Sequence, residues 1–508
     1  MNPSLQNVAE YLLDGKAESR EALSTLDQTH TYGDVCSASA DIANYLLQEG
    51  SLKGDRALLV SDNGFFWVAA YLGILRAGLV CVPLPPSISP QDLAQIVATT
   101  EVRFAFLQSV VARKHKNRFA QIKIVTDKAF TSPDVICSPV SLQQLQESVR
   151  SVSSPFAAVK ATDLAALMFT SGSTGKPHGV MVSHGNIIAN TDSVIEYLKL
   201  TASDRIMTVL PFHYCFGTSL LHTHLRVGGS LVLDQRFMYP EAVLQRMADT
   251  ECTGFAGVPS HFQILLRSSS LRKKSLPHLR CVQQAGGQLA PVFIRELRQA
   301  LPDAEIFIMY GQTEATARLS YLPPDLLDKR LGSVGKGMPG IKLRVVDESG
   351  QVVRPGEVGE IVAEGENVAL GYWREPAATS LRFRNGLLHT GDLATVDEDG
   401  FIYIVDRAED FLKCGGRRTS CRQVENQLQE FECLLEAAVL GIPDEIRGEA
   451  VKAFLVTRMP DCPSFADCFR AFCRNHLQPP LIPKEFVVTR SLPKNNAGKV
   501  LKHKLRGM

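Results

Sequence analysis

A chain of 508 residues is longer than one hydrophobic core normally supports, so at least two domains are expected. A net charge of +1, with 45% hydrophobic and 21% charged residues, gives no basic field for nucleic acid or an anionic membrane and no bias towards disorder. The twelve cysteines include no CxxC pair, and the polar start Met1-Asn2-Pro3-Ser4 lacks the basic region of a secretory leader, so reduced thiols in a cytoplasm are expected.

Up to about residue 155, helical and strand-like stretches alternate. Thr31 to Asp34 opens a helix running to Gln48, and Ala57 to Val60 reads as a strand. The apolar run from Phe65 to Leu75 is too short to span a bilayer and reads as a buried helix. A strand from Leu79 to Leu84 follows, stopped by Pro83, Pro85 and Pro86. Val102–Leu107 and Ile122–Val125 are further strands, which together predict a mostly parallel sheet with helices on both faces and no chemistry of its own.

A second such pattern is expected over residues 160 to 330, with strands at Leu164–Phe169, Ile206–Leu210, Ser230–Leu233, Arg280–Gln284 and Glu305–Met309. Polar motifs follow four of these strands. After the first comes Thr170-Ser171-Gly172-Ser173-Thr174-Gly175-Lys176-Pro177-His178-Gly179, whose glycines and hydroxyls suit a polyphosphate. It is not a P-loop: two residues separate Gly172 from Gly175, and Pro177 follows Lys176 where a hydroxyl is required. A helix is expected to start at Ser183. Pro211-Phe212-His213-Tyr214-Cys215-Phe216-Gly217 follows the second strand, Ala285-Gly286-Gly287 a later one, and Tyr310-Gly311-Gln312-Thr313-Glu314 the last. Ligands of such sheets bind at the carboxyl ends of the strands, so the four motifs are expected to meet in one crevice.

Residues 331 to about 405 turn to short strands punctuated by glycine (Lys342–Val346, Gly359–Ala363, Phe401–Val405), which predicts a small antiparallel, barrel-like subdomain. A small mixed α/β domain follows, with a helix capped by Thr419 or Ser420. Cys468, Cys473 and His476 match no zinc spacing and read as a helix face.

At these motifs the chain resembles the adenylate-forming superfamily of acyl-CoA synthetases, stand-alone adenylation domains and luciferases. TSGSTGKPHG is similar to the family's TSG(S/T)TGxPKG, with His178 in place of the usual lysine and Lys176 close by. YGQTE resembles YGxTE, Leu388-His389-Thr390-Gly391-Asp392 resembles (Y/W)xTGD, Phe411 to Gly416 resembles IKxGG, and Leu492 to Lys502 resembles LPKTxSGKxxR. The run Arg418 to Glu425 lacks the proline of the family's ISPxEIE.

The resemblance implies an α/β fold, with an adenylation domain over residues 1–407 and a mobile α+β domain over 408–508 pivoting at Glu409. It implies ATP contacts from Thr170, Ser171, Gly172, Ser173, Thr174, Gly175, Lys176, Gly286, Gly287, Tyr310, Gly311, Thr313, Asp392 and Arg407. Tyr310 would stack on the purine, and Asp392 and Arg407 would hold the ribose. Mg²⁺ would sit on Glu314 with the loop hydroxyl of Thr170. Lys499 would be the catalytic lysine, and Gly415 and Gly416 would line a pantetheine tunnel. The acyl pocket would draw on Cys215, Phe216, Ser219, Met309 and Arg318, with Gly257 and Gln283 beside them; His213, in the same motif, would join Lys499 and Glu314 as a catalytic residue or else be structural. Arg318 could face the acid pocket and pair with a second carboxylate or polar group on the substrate, or lie solvated at the surface. Amino-acid adenylation domains usually carry aspartate where Cys215 stands, which makes an α-amino acid a poorer candidate.

The implied reaction joins a carboxylic acid to ATP as an acyl-adenylate, with pyrophosphate leaving, and transfers the acyl group to the phosphopantetheine thiol of CoA or of a carrier protein. A discrete adenylation enzyme of a nonribosomal peptide or polyketide pathway is the alternative. A silent nucleotide-binding regulator and a luciferase-like oxygenase are two further classes, distinguished by pyrophosphate release and by light or oxygen uptake. Nucleic acid and a membrane span are not expected.

Overall fold

The computed structural model describes residues 6–115, 119, 122–129, 139–148, 156–171, 177–407, 411–414, 417–444, 448–459, 462–494 and 500–506, and its described strands form four sheets. The first has the order Val140–Ser141, Lys123–Thr126, Phe104–Leu107, Arg56–Val60, Val80–Leu84, Leu164–Ser171, Pro177–Ser183, parallel except for the last pair. Its central strands are buried on both faces, as continuous apolar runs require. Pro83 lies inside its strand rather than ending it. Pairing to Leu164–Ser171 is recorded at Cys81 with Ala166, so the missing N–H of Pro83 falls beyond that contact.

The helix Tyr32–Gln48 begins where expected, because Thr31 and Asp34 form a reciprocal capping box. The apolar helix Phe65–Arg76 is almost wholly buried against it. Gly73 makes this crossing possible: a Cβ there would come within 2.5 Å of Ile42 Cγ2. No helix among the described residues is long and apolar enough to cross a membrane.

The second sheet has the described order Lys336–Gly337, Ser320–Leu322, Glu305–Tyr310, Cys281–Gln284, Gly254–Gly257, Arg205–Thr208, Ser230–Leu233, Glu21–Ser24, Thr29–Thr31. Two sequence expectations change here. Leu164–Ser171 was expected to open this sheet but belongs to the first, whereas Glu21–Ser24 near the N-terminus pairs in parallel with Ser230–Leu233 in the second. Periodicity marks a strand but not its neighbour, and the chain crosses between sheets twice.

The third sheet is antiparallel, as expected: Lys342–Val346, Gly359–Glu364, Leu387–Val396 and Phe383–Arg384 in order, with Ile402–Arg407 also paired to Leu387–Val396. The fourth joins Phe411–Cys414, Arg417–Ser420, Leu434–Asp444, Gly448–Thr457 and Glu485–Val488 into the small C-terminal domain. The helix Cys421–Gln429 is capped by Ser420, settling the choice between Thr419 and Ser420. Cys473 lies in the helix Phe465–His476 with its side chain buried, and no metal-binding cluster of His, Cys, Asp and Glu occurs among the described residues.

Candidate active site

The two large sheets present strand ends to a common cavity of about 680 Å³. Thr170 and His178 line it from the first sheet. His213, Cys215 and Phe216 line it after Arg205–Thr208, Ala285 and Gly286 after Cys281–Gln284, and Gly311, Thr313 and Glu314 after Glu305–Tyr310. A larger depression of about 780 Å³, lined by Lys16, Asp192, Glu196 and Arg226 among others, has none of these strand ends.

Leu164–Ser171 and Pro177–Ser183 form an antiparallel hairpin in which Thr170 faces His178 and Ser171 faces Pro177. Gly172, Ser173, Thr174, Gly175 and Lys176 lie between them, outside the described residues, as does the side chain of Ser171. His178 Nδ1 is 2.8 Å from Glu375 Oε2, and its ring centroid is 5.0 Å from that of Tyr372. The residue replacing the family's lysine is therefore matched to a carboxylate.

Glu314 Oε1 accepts a 2.8 Å hydrogen bond from the Tyr372 hydroxyl. Burial, then the charge of Glu314, drives the Tyr372 pKa upward, so the phenol stays a donor. Oε2 of Glu314 makes no hydrogen bond among the described residues. One carboxylate beside a hydroxyl, with no acidic metal cluster among the described residues, suits Mg²⁺, which takes its remaining ligands from water and phosphate oxygens.

Tyr310 is 9% exposed, packs into the core of the third sheet, and donates from its hydroxyl to Asp392 Oδ2 at 2.7 Å. This bond ties the YGQTE strand end to the TGD motif. Asp392 faces Arg407 across the strand pair, although the Arg407 side chain is not described. Two glycines are sterically required here. Gly286 has φ +81°, and a Cβ would meet Val258 Cγ1 at 2.9 Å and the Tyr214 hydroxyl at 3.1 Å; at Gly311 it would meet the Ala317 carbonyl at 2.0 Å. Gly287 is looser, with Pro259 Cγ at 3.2 Å.

On the acyl side, burial pulls His213 down to about 4, so its imidazole is neutral at pH 7, and Nε2 has no partner among the described residues. The Cys215 thiol lies 3.4 Å from Thr313 Oγ1 and is pushed up to about 11, chiefly by burial. Ser219 Oγ is used by the Phe216 carbonyl, and Met309 Sδ by the Tyr197 hydroxyl. Gln283 is buried and accepts from Arg318. The reading of Arg318 as a solvated surface group does not hold: it is 1% exposed, because Glu305–Tyr310 pairs back onto Ser320–Leu322 and turns the side chain into the core.

The C-terminal domain docks on this body. Arg267 pairs with Glu296 at 2.8 Å and donates to the carbonyls of Leu434 and Gln429, while Arg458 donates back to the Arg267 carbonyl. Lys494, which leads into the lysine motif, is close enough to His261 for its charge to add to the burial that pulls this histidine down to about 4. His261 packs beside Gly257 at the cavity end of its strand. Lys499, Glu409, Gly415 and Gly416 lie outside the described residues.

Comparison with known proteins decides the family. A family model described as AMP-binding enzyme matches residues 14–373, and one described as AMP-binding enzyme C-terminal domain matches 423–499. The chain belongs to the AMP-binding enzyme family. Curated relatives of this AMP-binding enzyme include a feruloyl-CoA synthase from Amycolatopsis, 32% identical over 94% of this chain and 93% of the relative. A long-chain-fatty-acid–CoA ligase from Salmonella typhimurium is 29% identical over 96% of this chain and 91% of its own. Among solved structures, the o-succinylbenzoate CoA synthetase of Bacillus subtilis with its acyl-adenylate intermediate superimposes at a TM-score of 0.85, with 28% identity and 98% of both chains covered.

Sequence reasoning missed two parts of the AMP-binding enzyme's site. It gave the first sheet no chemistry, yet Pro83, Pro85, Ser87, Ile88 and Asp92 form a wall of the cavity, because the proline run carries the chain across the strand tips. It also passed over Tyr372, Glu375 and Arg382. Their signal is weak: an aromatic pair after Gly371, which takes φ +128°, in a stretch without regular periodicity.

Proposed function

We infer that this AMP-binding enzyme is an AMP-forming acid–thiol ligase. It converts a carboxylic acid and ATP to an acyl-adenylate and pyrophosphate, then passes the acyl group to a thiol. The observation that carries this reading is the meeting of Thr170 from one sheet with Thr313 and Glu314 from the other in a single cavity, within a fold shared with acyl-adenylate-forming enzymes.

ATP is the nucleotide and CoA the thiol acceptor, in keeping with the CoA ligases among the relatives. A related o-succinylbenzoate CoA synthetase has been solved with ATP and a magnesium ion, and Glu314 with Thr170 suits that ion here. Bound there, Mg²⁺ would neutralise charge on the phosphate oxygens.

The residue roles are those the motifs imply. The substrate carboxylate is its own nucleophile at the α-phosphate, so the protein orients and neutralises rather than attacks. The motif from Thr170 to Lys176, with Thr313, cradles the phosphates. Tyr310 and Asp392 hold the nucleoside with Arg407. His213, neutral through burial, shapes the mouth of the acid pocket and carries no charge into it. Lys499 enters on the C-terminal domain, taken as residues 408–508, and bridges the carboxylate and α-phosphate. A rotation about Glu409 then brings Gly415 and Gly416 to the pantetheine path. Ten of the cysteines are free thiols, in keeping with a reducing, cytoplasmic setting.

Acid-dependent ATP–pyrophosphate exchange tests the first half-reaction, and thioester formation compared between CoA and a phosphopantetheinylated carrier protein tests the second. Exchange that depends on an acid, is lost in Glu314→Ala and continues to an acyl-CoA supports the reading. ATP turnover without any acid requirement overturns it.

A further inference from the structure

Among the described residues lining the active-site cavity, Arg382 is the one lysine or arginine, against two carboxylates, Asp92 and Glu314. It ends the short helix Pro376–Arg382, and Phe383–Arg384 then pairs back on Leu388 and Leu387. This fold-back lays the guanidinium on the TGD motif. Nη1 donates to the His389 carbonyl at 3.1 Å. A Cβ on Gly391, whose φ is +71°, would overlap Nη1 and meet Nη2 at 3.1 Å. The glycine of the motif is therefore what lets the guanidinium lie there.

The charge has no counter-ion of its own. Arg374 pairs with Glu101 at 2.8 Å and Arg384 lies 3.9 Å from Glu360, but Arg382 makes no ion pair among the described residues. A guanidinium carries more N–H donors than the His389 carbonyl can use. The Tyr372 hydroxyl feels its field, but burial and Glu314 keep that phenol protonated and neutral. The position of the guanidinium is as telling as its charge. On one side Gly391 leads into Asp392, which is tied to Tyr310 and proposed for the ribose. On the other, Tyr372 donates to Glu314, proposed for Mg²⁺. Between a ribose and a magnesium-bound pyrophosphate, a nucleotide has its α-phosphate.

We propose that Arg382 binds the α-phosphate in both half-reactions, as the fixed cation that stays on the nucleotide when Lys499 withdraws. This assignment rests on the ligase reading above. Lys499 travels with the C-terminal domain and leaves before thioester formation. The α-phosphate keeps its negative charge throughout, in ATP, in the acyl-adenylate and in AMP. Arg382 precedes the Glu409 pivot, so it does not travel. In the second half-reaction the thiol sulfur bonds to the acyl carbon and the acyl–oxygen bond breaks. Its electron pair leaves on AMP, and the thiol proton passes to water. A guanidinium on that phosphate retains the adenylate between the two steps and stabilises AMP as it departs.

The test is calorimetric binding of AMP, adenosine and magnesium pyrophosphate to the intact enzyme, in wild type, Arg382→Met, Arg382→Gln and Arg382→Lys. AMP binding is expected to weaken about tenfold or more in Arg382→Met and Arg382→Gln, with adenosine and pyrophosphate within about twofold of wild type. Arg382→Lys is expected to recover part of the loss. Acyl transfer to CoA from supplied acyl-adenylate is expected to show a raised KM for the adenylate in Arg382→Met, a loss that removing the Lys499 amine does not produce. Equal weakening of AMP and adenosine marks a residue that only supports the fold. Weakened pyrophosphate with AMP unchanged places the cation at the far end of the triphosphate. Either result overturns the proposal, and so does a wild type that holds AMP no more tightly than adenosine, a comparison that needs no variant. If these binding results fail while acid-dependent exchange persists, the ligase reading stands without Arg382. If no acid drives exchange, the ligase reading fails, and the comparison of AMP with adenosine still decides the phosphate contact.

Discussion

The hydroxyl of Tyr372 donates to Oε1 of Glu314 at 2.8 Å, joining a loop between the third sheet's strands to the strand end of the second sheet. The bond fixes the orientation of the carboxylate proposed to take Mg²⁺. Groups that orient a metal ligand typically matter about 10–100-fold in metal affinity or activity. Tyr372→Phe keeps the ring packing on His178 and Phe383 and removes this donor alone. The expected outcome is a rise in the Mg²⁺ concentration for half-maximal pyrophosphate exchange of about tenfold or more, with the fold unchanged by circular dichroism. An unchanged Mg²⁺ dependence would separate Tyr372 from the metal.

Tyr310 and Asp392, 2.7 Å apart, are proposed to hold the nucleoside. Asp392→Asn keeps the shape of the side chain and removes its charge. Hydrogen bonds to a charged group are worth about 1.5–3 kcal/mol, so KM for ATP is expected to rise about tenfold or more while KM for the acid stays within about twofold. Equal increases in both constants would point to collapse of the crevice instead.

Five histidines, three of them buried and two half-buried, make the fold sensitive to acid. Burial is the first cause of pulling His222 down to about 3 and His184, His213, His224 and His261 to about 4, from an ordinary 6.5. Below pH 6.5 the unfolded chain binds protons that the folded chain refuses. The stabilisation from neutral burial is therefore fully present above pH 6.5 and is lost as the pH falls towards 4. Across that window each pH unit costs about 1.4 kcal/mol per histidine. The melting temperature is expected to fall steeply between pH 6.5 and 4.5, and less steeply in His222→Gln, which removes one titrating group while leaving a partner for the Tyr71 hydroxyl. A melting temperature flat over that range would contradict it.

The sequence carried the site where chemistry demands particular residue types in order. Gly286 and Gly311 are readable because a Cβ would clash there, and Ser183 and Thr31 because a short side-chain oxygen ahead of an apolar run caps a helix. Partners brought from far along the chain were not readable. Glu375 meets His178 across 197 residues, and Tyr372 meets Glu314 across 58. The placement of Leu164–Ser171 in the first sheet depends on which strand it pairs with, which hydrophobic periodicity does not encode. Arg318 shows the same limit, since an arginine in a sequence defaults to the surface and only the fold reveals that this one is enclosed.

The proposed role of Lys499 is a cation delivered for adenylation and withdrawn for thioester formation. Its most direct test compares the two half-reactions in Lys499→Ala. Adenylate formation, followed by acid-dependent pyrophosphate exchange, is expected to fall about 10²–10³-fold, while acyl transfer to CoA from separately supplied acyl-adenylate stays within about threefold of wild type. Full adenylate formation without the Lys499 amine, or an equal loss in both half-reactions, would contradict that role.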